Sequence, residues 1–152
     1  MMAANKNLRK NEEVARAGMH PYWDEDTQRA TPSAFKQAEV SVSRLAILNI
    51  DEIVSILRSQ FDHRSHSDGE SKRIRGVGTA IVEAIIEQAE VPMKDSGNIL
   101  PNIVLTVIED AIDGNNAHAL ICGWERNNRT QSKKITAGVA NRLLKLFDWK
   151  PC

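Results

Sequence analysis

At 152 residues, 41% of them apolar and 26% charged, the chain suits one domain with a proper core and is too apolar to be disordered throughout. Twenty basic and twenty acidic residues leave a formal net charge of zero, which gives no global field for nucleic acid and makes self-association easier. No apolar run approaches the ~18 residues of a membrane span, no apolar leader core follows Met1, and two cysteines make no disulfide framework, so a cytoplasmic protein of a reducing compartment is expected.

Residues 1–18 are polar and charged. They read as a flexible N-terminal arm, with a short helix over Leu8–Ala17 as its one regular option. Residues 19–152 read as a single compact domain. Pro21 and Pro32, with no hydrophobic period around them, make 19–40 irregular backbone docked on the rest. Residues 42–48 read as a strand from Val42 onward.

The helix signal is clearest over 50–61. Asn49 can cap it, Glu52 can reach back three residues to complete a capping box, and Ile50, Ile53, Leu57 and Phe61 form one apolar stripe. Residues 62–75 are a mixed-charge loop, expected at the surface and mobile. From Gly76 to Gln88 the pattern fits either a strand or a helix; the glycines and β-branched residues tip it toward a strand over 77–86.

Residues 91–102 are a connection broken by proline and glycine. Ile103–Glu109 and Ala117–Trp124 read as two strands joined around Asp113-Gly114-Asn115-Asn116. Residues 132–147 read as a helix with Ile135, Val139, Leu143 and Leu146 on its apolar face. Gly138 within it suggests close packing. The resulting fold class is α+β, a small mixed or antiparallel sheet of about four strands (42–48, 77–86, 103–109, 117–124) with two main helices on one face.

No strong catalytic motif is present: no Walker A loop, no G-x-S-x-G elbow, no H-E-x-x-H and no paired C-x-x-C. Gly76-Val77-Gly78 lacks the third glycine of a dinucleotide fingerprint. His63, His66, Asp68 and Glu70 are capable of binding metal. A hydrophilic loop supplies such residues by chance, so they read as solvated, and neither metal nor cofactor is expected.

Charge is unevenly spread. Residues 126–150 hold seven basic residues against one acidic, and 83–113 hold seven acidic against one basic. That asymmetry points to a protein partner or a homo-oligomer rather than to nucleic acid.

Five residues stand out as site candidates: His20, Arg29, Ser33, Arg44 and His118. Arginine grips phosphate bidentately, and a histidine inside an apolar strand can act as acid, base or orienting group if it lines a pocket. His118, Arg29 and Arg44 are expected to share one site if strands 42–48 and 117–124 are neighbours.

The segments Arg29-Ala-Thr-Pro-Ser33-Ala34-Phe35, Ser41-Val42-Ser43-Arg44 and Asn116-Ala117-His118-Ala119-x-Ile121-x-Gly123 resemble those of a loose family of small bacterial proteins. This chain has Asn116 where the family has proline. The resemblance implies a bacterial source and a compact α+β fold, with no reaction attached.

Two functions follow. The first is a binding or accessory protein acting through a protein partner. The second is a small toxin-like transferase or hydrolase acting on a phosphate-bearing or nucleotide ligand. Whether the chain is an enzyme stays open at this level.

Overall fold

The computed structural model describes residues 6–93, 97 and 99–152. The described residues build nine strands and three helices: β1 (Glu13–Met19), β2 (Trp23–Asp24), β3 (Arg29–Ala30), a 3-10 turn (Pro32–Phe35), β4 (Glu39–Arg44), α1 (Ile50–Phe61), β5 (Ile74–Ile81), α2 (Val82–Glu87), β6 (Ile103–Glu109), β7 (His118–Glu125), β8 (Asn128–Ser132), α3 (Ala137–Leu146) and β9 (Asp148–Pro151). Seven strands form one antiparallel sheet in the order β6-β7-β4-β1-β5-β9, with β8 also paired to β7, and β2 and β3 form a separate two-stranded ribbon. No helix among the described residues is long and apolar enough to cross a membrane.

This architecture corrects the four-strand sheet with two main helices expected from the sequence. Residues 13–18, assigned to a flexible arm, belong to the strand between β4 and β5. Residues 1–5 of that arm lie outside the described residues. The expected strand at 42–48 is β4 over 39–44, followed by a turn. The stretch 77–86 divides: Ile74–Ile81 is strand, and Val82–Glu87 is helix with Val82 and Ile85 buried. The 132–147 helix begins only at Ala137, because residues 128–132 pair with β7 as β8. The pair over 103–109 and 118–125 runs antiparallel from Ile103–Glu125 to Glu109–Ala119.

The helix α1 forms where its spacing predicts. Asn49 accepts from the Glu52 N–H at 2.9 Å, and Glu52 accepts from the Asn49 N–H at 3.2 Å, completing the capping box.

The two faces of the sheet differ. One carries Val14, Val40, Val42, Leu105, Val107 and Ile121, buried against α2, α3 and the 3-10 turn. The other carries Ala15 and Val77 with Leu45 and Val54, a smaller cluster under α1. Glycine explains why β1 and β5 lack apolar alternation. Gly18 lies opposite Gly76, and the Trp23 indole occupies the space a side chain would need at either; Trp149 does the same at Gly78. The aromatic surface of these strands is supplied from elsewhere in the chain: Trp23, Phe35 and Phe147 each pack within 5.8–6.3 Å of Trp149, and Phe35 lies 5.0 Å from Phe147.

Candidate functional site

The site begins with an interruption in the sheet. Strands β1 and β4 are paired at Val14–Arg44 and Ala15–Ser43. One residue further, the Arg16 side chain enters the gap. Its Nη1 donates to the Ser41 carbonyl at 3.0 Å and its Nη2 to the Ala34 carbonyl of the 3-10 turn at 3.0 Å. The side chain therefore satisfies a carbonyl of β4, next to the point where the strands part.

No carboxylate lies within ion-pair distance of Arg16 among the described residues, and its Nε is buried with no hydrogen-bond partner. Burial pushes the guanidinium down to about 10, with nearby Tyr22 opposing the shift. The group stays cationic at neutral pH, held by two neutral carbonyls rather than by a counter-charge.

A cavity of about 320 Å³ opens beside this gap, between the sheet and the α1 side chains Leu57 and Phe61. Its basic lining is Arg16, Lys72 and three of the four histidines, His20, His66 and His118, with no aspartate or glutamate among the described residues that line it. Ser41 and Ser43 on β4 add polar groups, and Tyr22 adds an aromatic wall.

His118 is held in a defined tautomer. It pairs across the ladder with Ser43. Its Nδ1 lies 3.0 Å from Asp110 Oδ2 and 3.1 Å from the Asp110 carbonyl oxygen. Both atoms accept, so Nδ1 carries the proton and Nε2 is left for another partner. A carboxylate behind an imidazole fixes its orientation and leaves the far nitrogen available to a proton.

At the mouth, the His20 Nε2 lies 2.7 Å from Asp68 Oδ2, and the His66 Nδ1 lies 3.5 Å from Asp68 Oδ1. The two imidazole rings meet edge to face at 5.4 Å. The Glu70 backbone N–H, donating to Asp68 Oδ1 at 2.9 Å, and then the His20 ring hold the Asp68 carboxyl below its ordinary range.

Of the five candidates named from the sequence, His20 and His118 line this cavity. Arg44 is spent elsewhere: Nε meets Glu12 Oε1 at 2.7 Å, Nη2 meets Oε2 at 3.3 Å, and Nη1 lies 3.8 Å from Glu109. Strands β4 and β7 are neighbours, as a shared site required. Yet Ser43 is the residue paired with His118, and successive strand residues point to opposite faces, so Arg44 belongs to the other face. Arg29 sits in β3 opposite Asp24, and Ser33 lies in the 3-10 turn, where its carbonyl accepts from Gln37. Neither residue lines the cavity.

The sequence reading missed Arg16 and Lys72. The available signal at Arg16 was a lone arginine among the small and apolar residues of Val14-Ala15-Arg16-Ala17-Gly18.

The charge asymmetry is in part consumed inside the chain. Arg126 donates to the Pro101 and Ile103 carbonyls and to Glu90, at 2.8, 3.1 and 3.2 Å. Arg142 donates to the carbonyls of Gln88, Val91 and Pro92 at 3.0, 2.6 and 2.8 Å. Two basic side chains of the 126–150 stretch thus close off the end of α2 and the segment that follows it.

Comparison of the chain with protein-family models, with curated proteins and with solved structures finds no match.

Proposed function

We propose that this protein binds a small phosphate-bearing ligand in the cavity beside the β1–β4 gap. The observation that carries the reading is Arg16, a partly buried cation with no carboxylate partner among the described residues, set in a lining whose other basic groups are Lys72 and histidines. An unpaired buried charge is costly unless something compensates it, and an anionic ligand supplies that compensation. The planar guanidinium suits phosphate geometry, while Leu57, Phe61 and Tyr22 offer apolar area for the rest of the molecule. A volume of about 320 Å³ suits a compact ligand.

This reading favours the phosphate-ligand function over the protein-partner function. Of the basic residues behind the asymmetry that suggested a partner, Arg126 already meets Glu90 and Arg142 is engaged by backbone carbonyls within the fold. His118, backed by Asp110, gives the site a group able to take a proton, which supports hydrolysis or group transfer as the chemistry. A reducing, cytoplasmic setting is supported by Cys122 and Cys152, both unpaired.

Calorimetric titration with inorganic phosphate, pyrophosphate and nucleoside monophosphates tests the reading. Binding of at least one of these by the wild-type chain, weakened at least ~10-fold in both Arg16→Met and Arg16→Lys, is expected, because lysine lacks the planar fork. Absence of binding across the panel, or binding unchanged by Arg16→Met, overturns it.

A further inference from the structure

We propose that His20, His66 and Asp68 bind one divalent transition-metal ion, of the zinc or cobalt class, at the mouth of this cavity. The fold assembles the set from two places. His20 follows β1, and His66 and Asp68 come from the loop before β5, 46 and 48 residues further along the sequence. One donor atom from each lies within 4.8 Å of the other two.

Two imidazole nitrogens and a carboxylate oxygen are a donor set that suits zinc, cobalt or nickel better than magnesium or calcium. Three protein ligands with a free fourth position is also the pattern of metal sites that engage a substrate or water. Donor atoms around a tetrahedral ion sit about 3.4 Å apart, given bonds of about 2.0–2.1 Å. The present spacing needs only side-chain adjustment on an exposed loop to reach it.

The loop is built to present these groups. The Ile74 N–H donates to Asp62 Oδ1 at 3.0 Å, and the His66 N–H donates to the Glu70 carbonyl at 2.8 Å. Only one carboxylate belongs to the set, so an ion held there keeps net positive charge and attracts an anion.

An independent observation points the same way. His20 and His66 line the cavity that Arg16 also lines, at the β1–β4 gap. A metal at the mouth and a guanidinium at the β1–β4 gap place two cationic groups on one cavity. The ion's open position then serves the phosphate of the ligand. That second statement rests on the binding reading above; the metal site does not.

The test uses the full-length chain, free of any polyhistidine tag, stripped with a chelator and titrated with cobalt(II) at neutral pH. The visible spectrum reports coordination. One equivalent is expected to bind, with affinity reduced at least about tenfold in His66→Ala and in Asp68→Asn and unchanged in His63→Ala, a neighbour outside the set. Circular dichroism checks that each variant is folded. Adding inorganic phosphate to the cobalt form is expected to shift the spectrum, and Arg16→Met is expected to retain the metal while losing most of that shift. Failure to take up one equivalent, or uptake equal in His66→Ala, Asp68→Asn and His63→Ala, overturns the metal site. Normal uptake with no phosphate effect leaves the metal site standing and overturns the role of its open position as the anion's partner. Calorimetry on the metal-free chain separately decides whether phosphate binds through Arg16 at all.

Discussion

Gly18 stands opposite Gly76 in the β1–β5 ladder, and the indole of Trp23 lies across both. A Cβ at Gly76 would overlap that ring and approach the Lys150 carbonyl to 2.9 Å. Because Trp23 is itself buried and β9 is paired on the far side, neither neighbour has room to yield. Gly76→Ala is expected to destabilise the fold by about 2–3 kcal/mol through overpacking. Urea denaturation of the variant measures this; a midpoint equal to wild type would contradict the packing described.

Arg44 and Glu12 form a structural pair rather than a ligand site. Glu12 is buried and takes two hydrogen bonds from the guanidinium. Arg44→Ala leaves that carboxylate without its partner and is expected to cost about 3–5 kcal/mol, with phosphate affinity unchanged. Stability and binding read on the same variant separate the two roles. Lost binding in a folded Arg44→Ala protein would restore Arg44 to the site.

Arg16 is expected to behave in the opposite manner. Replacing a partly buried, unpaired cation with methionine removes a desolvation penalty as well as two hydrogen bonds, so Arg16→Met should stay within about 1 kcal/mol of wild type while losing phosphate.

The pH dependence follows from the same group. Its folded-state value near 10 lies below that of an ordinary arginine, so above about 10 the unfolded chain binds more protons and this residue's contribution to stability rises with pH. Ligand binding runs the other way: it needs the cation and is expected to fall as pH passes about 10. Phosphate-induced shifts in Tm, measured well below and above that value in wild type and Arg16→Met, check both signs.

The two thiols should differ sharply in reactivity. Burial first, then the charges of Glu39 and Asp110, push Cys122 up to about 11, so almost no thiolate exists near neutrality. Cys152 is exposed. A thiol reagent applied to the native protein is expected to label one cysteine rapidly and the second only after denaturation. Rapid labelling of both would mean that β7 opens readily.

Loss of the α1 cap should loosen the cavity wall without touching its polar groups. Asn49→Ala removes the acceptor of the Glu52 N–H and should cost about 1 kcal/mol. Since Leu57 and Phe61 of this helix face the cavity, ligand binding is expected to weaken in proportion, which parallel melting and calorimetry would show.

The parts of the fold legible in the sequence are those whose side chains carry their own period. Ile50–Phe61 declares a helix through its stripe and cap, β6 declares a strand through its β-branched run, and β7 reads as the apolar strand returning after the Asp113-Gly114-Asn115-Asn116 turn. Strand β1 declared nothing, because its core face reads Val14, Arg16, Gly18. The guanidinium fills the gap beside β4, and Trp23 fills the space over the glycine. A pattern of hydrophobic alternation cannot register a strand whose packing surface comes from a different segment. The same reason hid the site. His20 and His118 drew attention as isolated histidines in polar and apolar surroundings, but Arg16 looked like one more charge on an arm. His66 and Asp68 looked like solvated loop residues until the fold brought His20 beside them. Arg44 misled because alternation along β4 turns it away from the face that Ser43 shares with His118.

The placement of β1 also governs how the chain reaches this state. Ala15 is among the first residues in the sequence to enter the sheet, yet its ladder neighbours are Ser43 and Thr79, and Thr79 in turn waits for Asp148 near the other end. Almost no pairing around this strand can form locally, so loops of tens of residues must close before their contacts repay the lost entropy. Such a topology places folding in the slow regime of milliseconds to seconds. During that interval the exposed β1 and β5 backbones are open to pairing with other chains, and a ligand that bridges Arg16 to the neighbouring loop would draw the equilibrium toward the closed sheet.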